Sequence, residues 1–153
     1  MKKIKNLFFI FFIYSSLGLA EIKNYRELRI VLEKKEIFLA GMAYPLYAKG
    51  NSIAFLKQKK ISDLISLEMV PDDFSIALKK HGINHHKMYV PDFTAPKLQQ
   101  LHQIRDLVYA NINNPTFKLG VHCLGGNGRT GTILAAIVLE SKLGTQKQKE
   151  FDI

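Results

Sequence analysis

One stretch, residues 122–131 (HCLGGNGRTG), constrains the fold of this chain more than any other. An apolar run, 119–121, precedes it and a longer one, 133–139, follows it, which predicts a strand, a tight loop and a helix. We call residues 122–131 the cysteine loop. It contains Cys123 and, six positions later, Arg129, and the glycines between them let the backbone curl so that its N–H groups point inward. Together with the helix N-terminus, these groups predict a phosphate-binding loop with a thiol at its base.

The side chains of the cysteine loop suit covalent phosphoryl transfer. Inward N–H groups lower the pKa of the Cys123 thiol below its free value of about 8.5, and the thiolate is the nucleophile. Arg129 can donate two parallel hydrogen bonds to phosphate oxygens. Thr130 offers a hydroxyl that stabilises a departing thiolate, although a helix N-cap would look the same in the sequence. His122 is placed to hold the loop through a ring hydrogen bond. These residues predict transfer of a phosphoryl group to sulfur, followed by hydrolysis.

The pattern HCxxGxxRTG resembles the signature of the cysteine-dependent protein phosphatases and matches it at every fixed position. Three more segments, 38–45 (FLAGMAYP), 61–67 (ISDLISL) and 90–96 (VPDFTAP), resemble the small atypical dual-specificity phosphatases. The likeness runs from about residue 38 to residue 143. It implies a short central sheet with helices on both sides. The phosphate-binding residues that fit this resemblance are Leu124, Gly125, Gly126, Asn127, Gly128 and Arg129.

Asp92 is the predicted general acid, because it lies in a loop after a strand, at the position that the resembling family uses for this role. A positioned general acid accelerates such reactions by about 10²–10⁴. An ordinary turn or capping aspartate would share the same local sequence. Asp72 and Asp73 are weaker candidates, since they follow Pro71 and fit the first turn of a helix.

Composition narrows the classes of partner. The formal net charge of +9 suits an anionic substrate. Because no basic face with interleaved aromatic residues is present, nucleic-acid binding is not predicted. The single cysteine excludes an intramolecular disulfide. Neither a metal nor a cofactor is predicted, since Cys/His ligand spacing is missing and the neighbours His85 and His86 would point to opposite faces of a strand.

Residues 1–20 are predicted to be a secretory signal peptide. Lys2, Lys3 and Lys5 precede the apolar run 7–14, and Gly18-Leu19-Ala20 supplies small residues for cleavage. An uncleaved N-terminal anchor is the alternative, although the run is short for a membrane span. Either way, the catalytic domain, residues 21–153, is expected to be periplasmic or secreted. Once the leader is cleaved, we expect no stable membrane insertion.

The rest of the chain alternates strand and helix patterns, which predicts an α/β fold with a mainly parallel sheet and a ligand site at the end of its central strand. Asp63 is expected at a strand end or exposed, and Leu98, Leu101, Ile104 or Arg105, and Val108 are expected to face the core. The predicted strands are 28–32, 37–39, 61–67, 83–90 and 117–123, and a short helix is the alternative for the first of them. A turn is predicted at 41–45, and the predicted helices are 50–60, 71–81, 96–111 and 130–143.

The C-terminus departs from the resembling family, which continues with further helices beyond the one after the cysteine loop. Only the polar residues 144–153 follow that helix here. The chain is therefore expected to be truncated or frameshifted, or to be a short form that something else covers.

The leading functional hypothesis is a monomeric phosphatase that acts on phosphotyrosine, phosphoserine or phosphothreonine in proteins, as the resemblance implies. A phosphatase for phosphoinositides or small phosphorylated ligands is less favoured, because residues 124–128 carry no charge to hold a multiply charged ligand. A non-catalytic phosphate-binding module stays open, since a loose supporting shell disables an otherwise intact site.

Overall fold

The computed structural model describes residues 21–47 and 51–151 and has a five-stranded sheet at its centre. The strand order is β1-β2-β5-β3-β4; β1 is antiparallel to β2, and the other neighbouring strands are parallel. The predicted α/β class with a mainly parallel sheet is therefore confirmed. The strands are β1 (Arg26–Leu32), β2 (Lys35–Met42), β3 (Asp63–Ser66), β4 (Asn84–Lys87) and β5 (Lys118–His122).

Among the described residues, three α-helices and one 3-10 helix connect these strands, and a fourth α-helix follows β5. Asn51 caps the first α-helix, since its side chain accepts a hydrogen bond from Ala54 N at 3.1 Å. Asp72 and Asp73 lie in the first turn of the second, where carboxylates favour the helix dipole. The helices are the 3-10 helix Pro45–Tyr47, α1 (Ser52–Gln58), α2 (Asp72–Lys80), α3 (Leu98–Ala110) and α4 (Gly128–Phe151).

The sheet is covered on both faces, and successive residues of β2 show this directly. Leu39 packs in a cluster with Ile104 of α3 and Ile133 of α4, whereas its neighbour Ala40 packs in a second cluster with Leu56 of α1. This alternation follows from the two-residue period of a strand. Strands that are buried on both faces are typical of parallel sheets with helices on either side.

The strand ends bring the predicted site together. Met42 at the end of β2 and Ser66 at the end of β3 are both in register with His122 at the end of β5. The segments that follow these strands therefore leave the sheet at one edge, where open parallel sheets bind ligands.

Several sequence-based expectations were wrong in detail. The predicted turn at 41–45 starts later, because Gly41 and Met42 still pair with β5. Asp63 is the first residue of β3, which confirms the first of its two predicted placements, a strand end. It is only 4% exposed, and His86 Nε2, 2.9 Å from its Oδ1, satisfies the buried carboxylate. Leu98 is 68% exposed rather than core-facing, since it is the first residue of α3, whereas Ile104 and Val108 are buried as expected.

The helix after the cysteine loop is longer than predicted at both ends. It begins at Gly128 instead of Thr130, so Thr130 lies within its first turn and is not its N-cap. The backbone stays helical to Phe151, because residues 146–150 (QKQKE) are all good helix formers. The predicted leader, residues 1–20, lies outside the described residues, as does Gly50. Within the part of the chain that is described, no helix has the length and apolarity to cross a membrane.

Candidate active site

The thiol lies at the base of a tightly folded loop. Cys123 directly follows β5 and is only 3% exposed, and the N–H of Gly126 donates to its Sγ at 3.3 Å. Gly126 has a φ of +77°, and a Cβ there would lie 2.4 Å from the carbonyl carbon of Met42. Both the backbone conformation and the lack of space therefore require glycine at this position.

Three successive carbonyls of the cysteine loop are held from outside by donors of other segments. Because these carbonyls point outward, the loop amides are free to face inward. The bonds run from Tyr44 N to Leu124 O (3.0 Å), from Asn24 Nδ2 to Gly125 O (2.7 Å) and from Arg26 Nη1 to Gly126 O (2.7 Å).

The surroundings of Cys123 favour the thiolate. Burial by itself raises the pKa of this thiol, but the nearby hydroxyl and backbone N–H of Thr130, the Gly126 N–H and the charge of Arg129 together bring the pKa below its ordinary value. Thr130 Oγ1 is buried and has no oxygen or nitrogen partner among the described residues. Its hydroxyl is thus available to the sulfur, and the role of Thr130 in thiolate release stays a prediction.

Arg129 is buried and held in place by oxygens from two other segments. Its Nη1 donates to Val90 O at 2.7 Å, and its Nη2 bonds both Glu68 and Asp92, the latter at 2.9 Å. Only 6% of Arg129 is exposed. The guanidinium is therefore fixed beside the cysteine loop by groups that follow β3 and β4.

Asp92 and Phe93 form the other side of the site. The side chain of Asp92 is half-exposed, and Phe93 is fully exposed. Phe93 has a φ of +57°, and its N–H donates to Asp92 Oδ1 at 3.1 Å. Both residues line a cavity of about 400 Å³ that also contains Cys123 and Arg129. The structure thus gathers the predicted nucleophile, phosphate-binding arginine and general acid around one opening.

His122 makes the ring hydrogen bond that the sequence predicted. Its Nε2 lies 2.6 Å from the hydroxyl of Ser66, and the ring is fully buried beside Tyr44 at a centroid distance of 5.5 Å. Burial lowers the pKa of His122 to about 3, so the ring is neutral at physiological pH.

Sequence reasoning missed four residues that support the site: Asn24, Arg26, Ser66 and Glu68. Ser66 and Glu68 end or follow β3, at the sheet edge where ligand sites form, and that position was a usable signal. Asn24 and Arg26 reach the loop from about a hundred residues away in the chain, and nothing in the local sequence indicates this. Asp72, a weaker candidate for the acid, instead pairs with Lys87 at 2.7 Å.

A family model described as "Polymorphic toxin system, DSP-PTPase phosphatase" matches residues 40–142, which include every element of the site except the Asn24 and Arg26 supports. The chain belongs to this phosphatase family. The resemblance that the sequence suggested is therefore confirmed.

Solved phosphatases share the fold. The kinase-associated phosphatase KAP, with its catalytic cysteine replaced by serine, is similar with a TM-score of 0.59 and 20% identity over 76% of this chain and 74% of that chain. Tk-PTP in a mutant form gives a TM-score of 0.53 and 22% identity over 71% of each chain. The core catalytic domain of Siw14, a PP-IP phosphatase from S. cerevisiae, gives 0.55 and 21% identity over 76% of this chain and 66% of that chain.

Two adjacent histidines of this DSP-PTPase, His85 and His86, are engaged with neighbouring side chains. His85 Nε2 lies 2.7 Å from Ser66 Oγ, and His86 bonds Asp63 on the other face of the strand. Residues 21–47 and 51–151 contain no group of three or more His, Cys, Asp or Glu side chains arranged to hold a metal ion.

Proposed function

We propose that this phosphatase hydrolyses phosphate monoesters on proteins through a cysteinyl-phosphate intermediate. The observation that carries the proposal is the buried Cys123 thiol, with its lowered pKa, in one cavity with Arg129 and Asp92. A thiolate, a forked cation and a carboxyl group at the mouth are what a two-step phosphoryl transfer requires.

In the first step, the phosphate of the substrate takes hydrogen bonds from the loop amides and from Arg129, and it displaces Asp92 from the guanidinium. The Cys123 sulfur forms a bond to phosphorus while the bond from phosphorus to the ester oxygen breaks. Asp92, in its protonated form, donates a proton to that leaving oxygen. Arg129 and the amides stabilise the charge on the remaining phosphoryl oxygens.

In the second step, a water molecule attacks the phosphorus of the cysteinyl phosphate. Asp92, now a carboxylate, takes a proton from this water as the phosphorus–sulfur bond breaks. The sulfur leaves as a thiolate, which the Thr130 hydroxyl and the Gly126 N–H stabilise. The products are inorganic phosphate and the starting form of the enzyme, so the reaction balances without a redox partner or a metal.

The cavity favours a phosphoprotein substrate over a highly charged small molecule. Residues 124–128 carry no charged side chain, and Phe93 presents an apolar ring at the mouth. The second candidate is an inositol phosphate or pyrophosphate, because Siw14, which shares the fold, is described as a PP-IP phosphatase. A multiply charged ligand of that kind needs more cations than Arg129 alone supplies.

The test compares wild-type protein with Cys123→Ser on an aryl phosphate, on matched phosphotyrosine and phosphoserine peptides, and on an inositol polyphosphate. We expect phosphate release from the aryl phosphate and from peptides, and none from the variant. Release from the inositol polyphosphate alone would support the second candidate. Binding of phosphopeptide without release by folded wild-type protein would instead indicate a phosphate-binding module.

We also propose that the protein is exported and monomeric. Lys2, Lys3 and Lys5 before an apolar run support export, as does the reference to polymorphic toxin systems in the family description. The mass of the protein purified from its native host tests the export proposal, because cleavage after Ala20 predicts a mature chain that starts at Glu21. Light scattering of that protein tests the monomer.

A further inference from the structure

Four side chains form a continuous hydrogen-bonded chain from helix α2 to the residue before the thiol. We call it the histidine relay. Ser75 Oγ lies 2.8 Å from His85 Nδ1, His85 Nε2 lies 2.7 Å from Ser66 Oγ, and Ser66 Oγ lies 2.6 Å from His122 Nε2. The inner members, Ser66 and His122, are fully buried, whereas the outer members line a surface cavity of about 640 Å³. Phosphoryl transfer as described above uses neither His85 nor Ser75.

The proton count of the relay links its two histidines. The Ser66 hydroxyl has one proton and two lone pairs, so it donates to at most one of the two imidazoles, and at least one of them donates to its oxygen. When Ser66 donates to His122 Nε2, the proton of His122 sits on Nδ1 and His85 carries its proton on Nε2. When Ser66 donates the other way, both rings change tautomer. The Ser66 hydroxyl therefore couples the tautomer of His122 to that of His85.

Both imidazole rings are neutral, so the relay fixes which ring nitrogens carry protons and has no net charge. Burial, with the nearby charges of Lys87 and His86, lowers the pKa of His85 to about 4. Burial lowers the pKa of His122 to about 3, and the charge of Arg129 acts in the same direction.

The tautomer of His122 matters because of what its other nitrogen faces. Nδ1 has no conventional hydrogen-bond partner among the described residues, and the ring interacts with the backbone of Cys123 instead. The histidine to which Ser66 donates decides whether Nδ1 of His122 presents an N–H or a lone pair to that backbone. It thereby affects how the amides of the cysteine loop are oriented toward the sulfur.

We propose that His85 is a positioning residue for the cysteine loop, acting through Ser66 and His122 from the edge strand of the sheet. The proposal deepens the proposed function and rests on it, because Cys123 is the nucleophile there. His85 touches neither the thiol nor the cavity that contains it. Its effect is to stabilise the thiolate form of Cys123 at a distance.

The experiment measures the rate at which iodoacetamide alkylates Cys123 as a function of pH, in wild-type protein and in His85→Leu. Cys123 is the single cysteine of the chain, so the reagent reports on this thiol alone. We expect the thiol to titrate at higher pH in the variant, with an alkylation rate near neutral pH that is about three- to tenfold lower, the size expected for one lost hydrogen bond. Alkylation needs no turnover, so a wild-type protein that fails to hydrolyse phosphate esters disproves the proposed function separately.

His86→Leu is the matched control. His86 is the next residue on β4 and bonds Asp63 instead of the relay. We expect it to leave the titration of the thiol unchanged, even if the free energy of unfolding falls. His85→Gln should restore most of the wild-type rate, because its amide can reach Ser66. Equal shifts in His85→Leu and His86→Leu would overturn the proposal, as would no shift in His85→Leu.

A second variant keeps the test decisive if His85→Leu does not fold. Ser75→Ala removes only the outer link of the relay, at a partly exposed position. We expect it to lower the alkylation rate in the same direction as His85→Leu, by about twofold, because a neutral surface hydrogen bond contributes less than a buried one. A wild-type titration in folded Ser75→Ala would then overturn the proposal.

Discussion

Asp92 Oδ1 lies 2.9 Å from Nη2 of Arg129, and Glu68 bonds the same nitrogen. The predicted general acid thus occupies a donor that a bound phosphate would take. Of the two carboxylates, Asp92 is the more exposed, at 53% against 20% for Glu68. Because exposed ion pairs contribute little, we expect a bound phosphate to displace Asp92 and to leave Glu68 in place to orient the guanidinium. In the proposed mechanism, this ion pair holds Asp92 next to the position where it would donate its proton.

Asp92→Asn should slow the hydrolysis of alkyl phosphates by about 10²–10⁴, because the leaving oxygen then receives no proton. Hydrolysis of an activated aryl phosphate, whose leaving group needs no proton, should fall much less. The measurement is kcat/KM on both substrates. Asp73→Asn, at an exposed position in the first turn of α2, is the control. Equal losses on the two substrates would show that Asp92 is not the acid.

Gly126→Ala should lower the free energy of unfolding by about 1–3 kcal/mol and abolish hydrolysis. The new Cβ would lie 2.4 Å from the Met42 carbonyl carbon, and φ is +77° at this position. Gly125→Ala is the stability control, since a Cβ there meets nothing within 4 Å. Urea denaturation of both variants checks the difference. A Gly126→Ala protein as stable as wild type would contradict the loop geometry described above.

Arg26→Leu should reduce hydrolysis about tenfold, because the Gly126 carbonyl loses a charge-assisted hydrogen bond and the loop amides lose their orientation. Arg29→Leu is a matched control on the same strand, where the exposed ion pair with Glu36 is worth at most about 1 kcal/mol. Steady-state kinetics on an aryl phosphate compares the two. An equal loss of activity in Arg29→Leu and Arg26→Leu would show that the hydrogen bond from Arg26 to Gly126 O does not support the loop.

The pKa of Cys123 is lowered in the folded protein, and this has a consequence for stability. Between the folded value and the unfolded value of about 8.5, the unfolded chain binds a proton that the folded chain does not, so the free energy of unfolding rises with pH. The gain is complete above the unfolded value and is lost as pH falls through the folded one. Denaturation of wild type and Cys123→Ser under reducing conditions should show this rise in the wild type alone. Parallel curves would contradict the lowered pKa.

The sequence predicted what depends on local pattern. Cys123 and Arg129 lie within one short motif, and Asp92 follows a strand within a segment that resembles the phosphatase family. Alternating apolar patterns also gave the α/β class. These features need no knowledge of distant contacts, because the loop is formed by neighbouring residues and by the start of the helix that follows.

What escaped prediction depends on pairs that are distant in sequence. Arg26 supports Gly126 across 100 residues, and Asp63 is buried because His86 from another strand meets it. Ser66 joins two histidines only because β3 lies between β4 and β5 in the sheet. Strand order fixes these contacts, and a single sequence does not reveal strand order.

The most direct test of the central claim is the mass of the intact protein, quenched in acid during turnover of an aryl phosphate. We expect an added phosphoryl group on Cys123, and its amount should rise in Asp92→Asn if hydrolysis of the intermediate becomes rate-limiting. In Cys123→Ser, both the added mass and the release of phosphate should be absent. Phosphate release that persists in folded Cys123→Ser would contradict the assignment of Cys123 as the nucleophile.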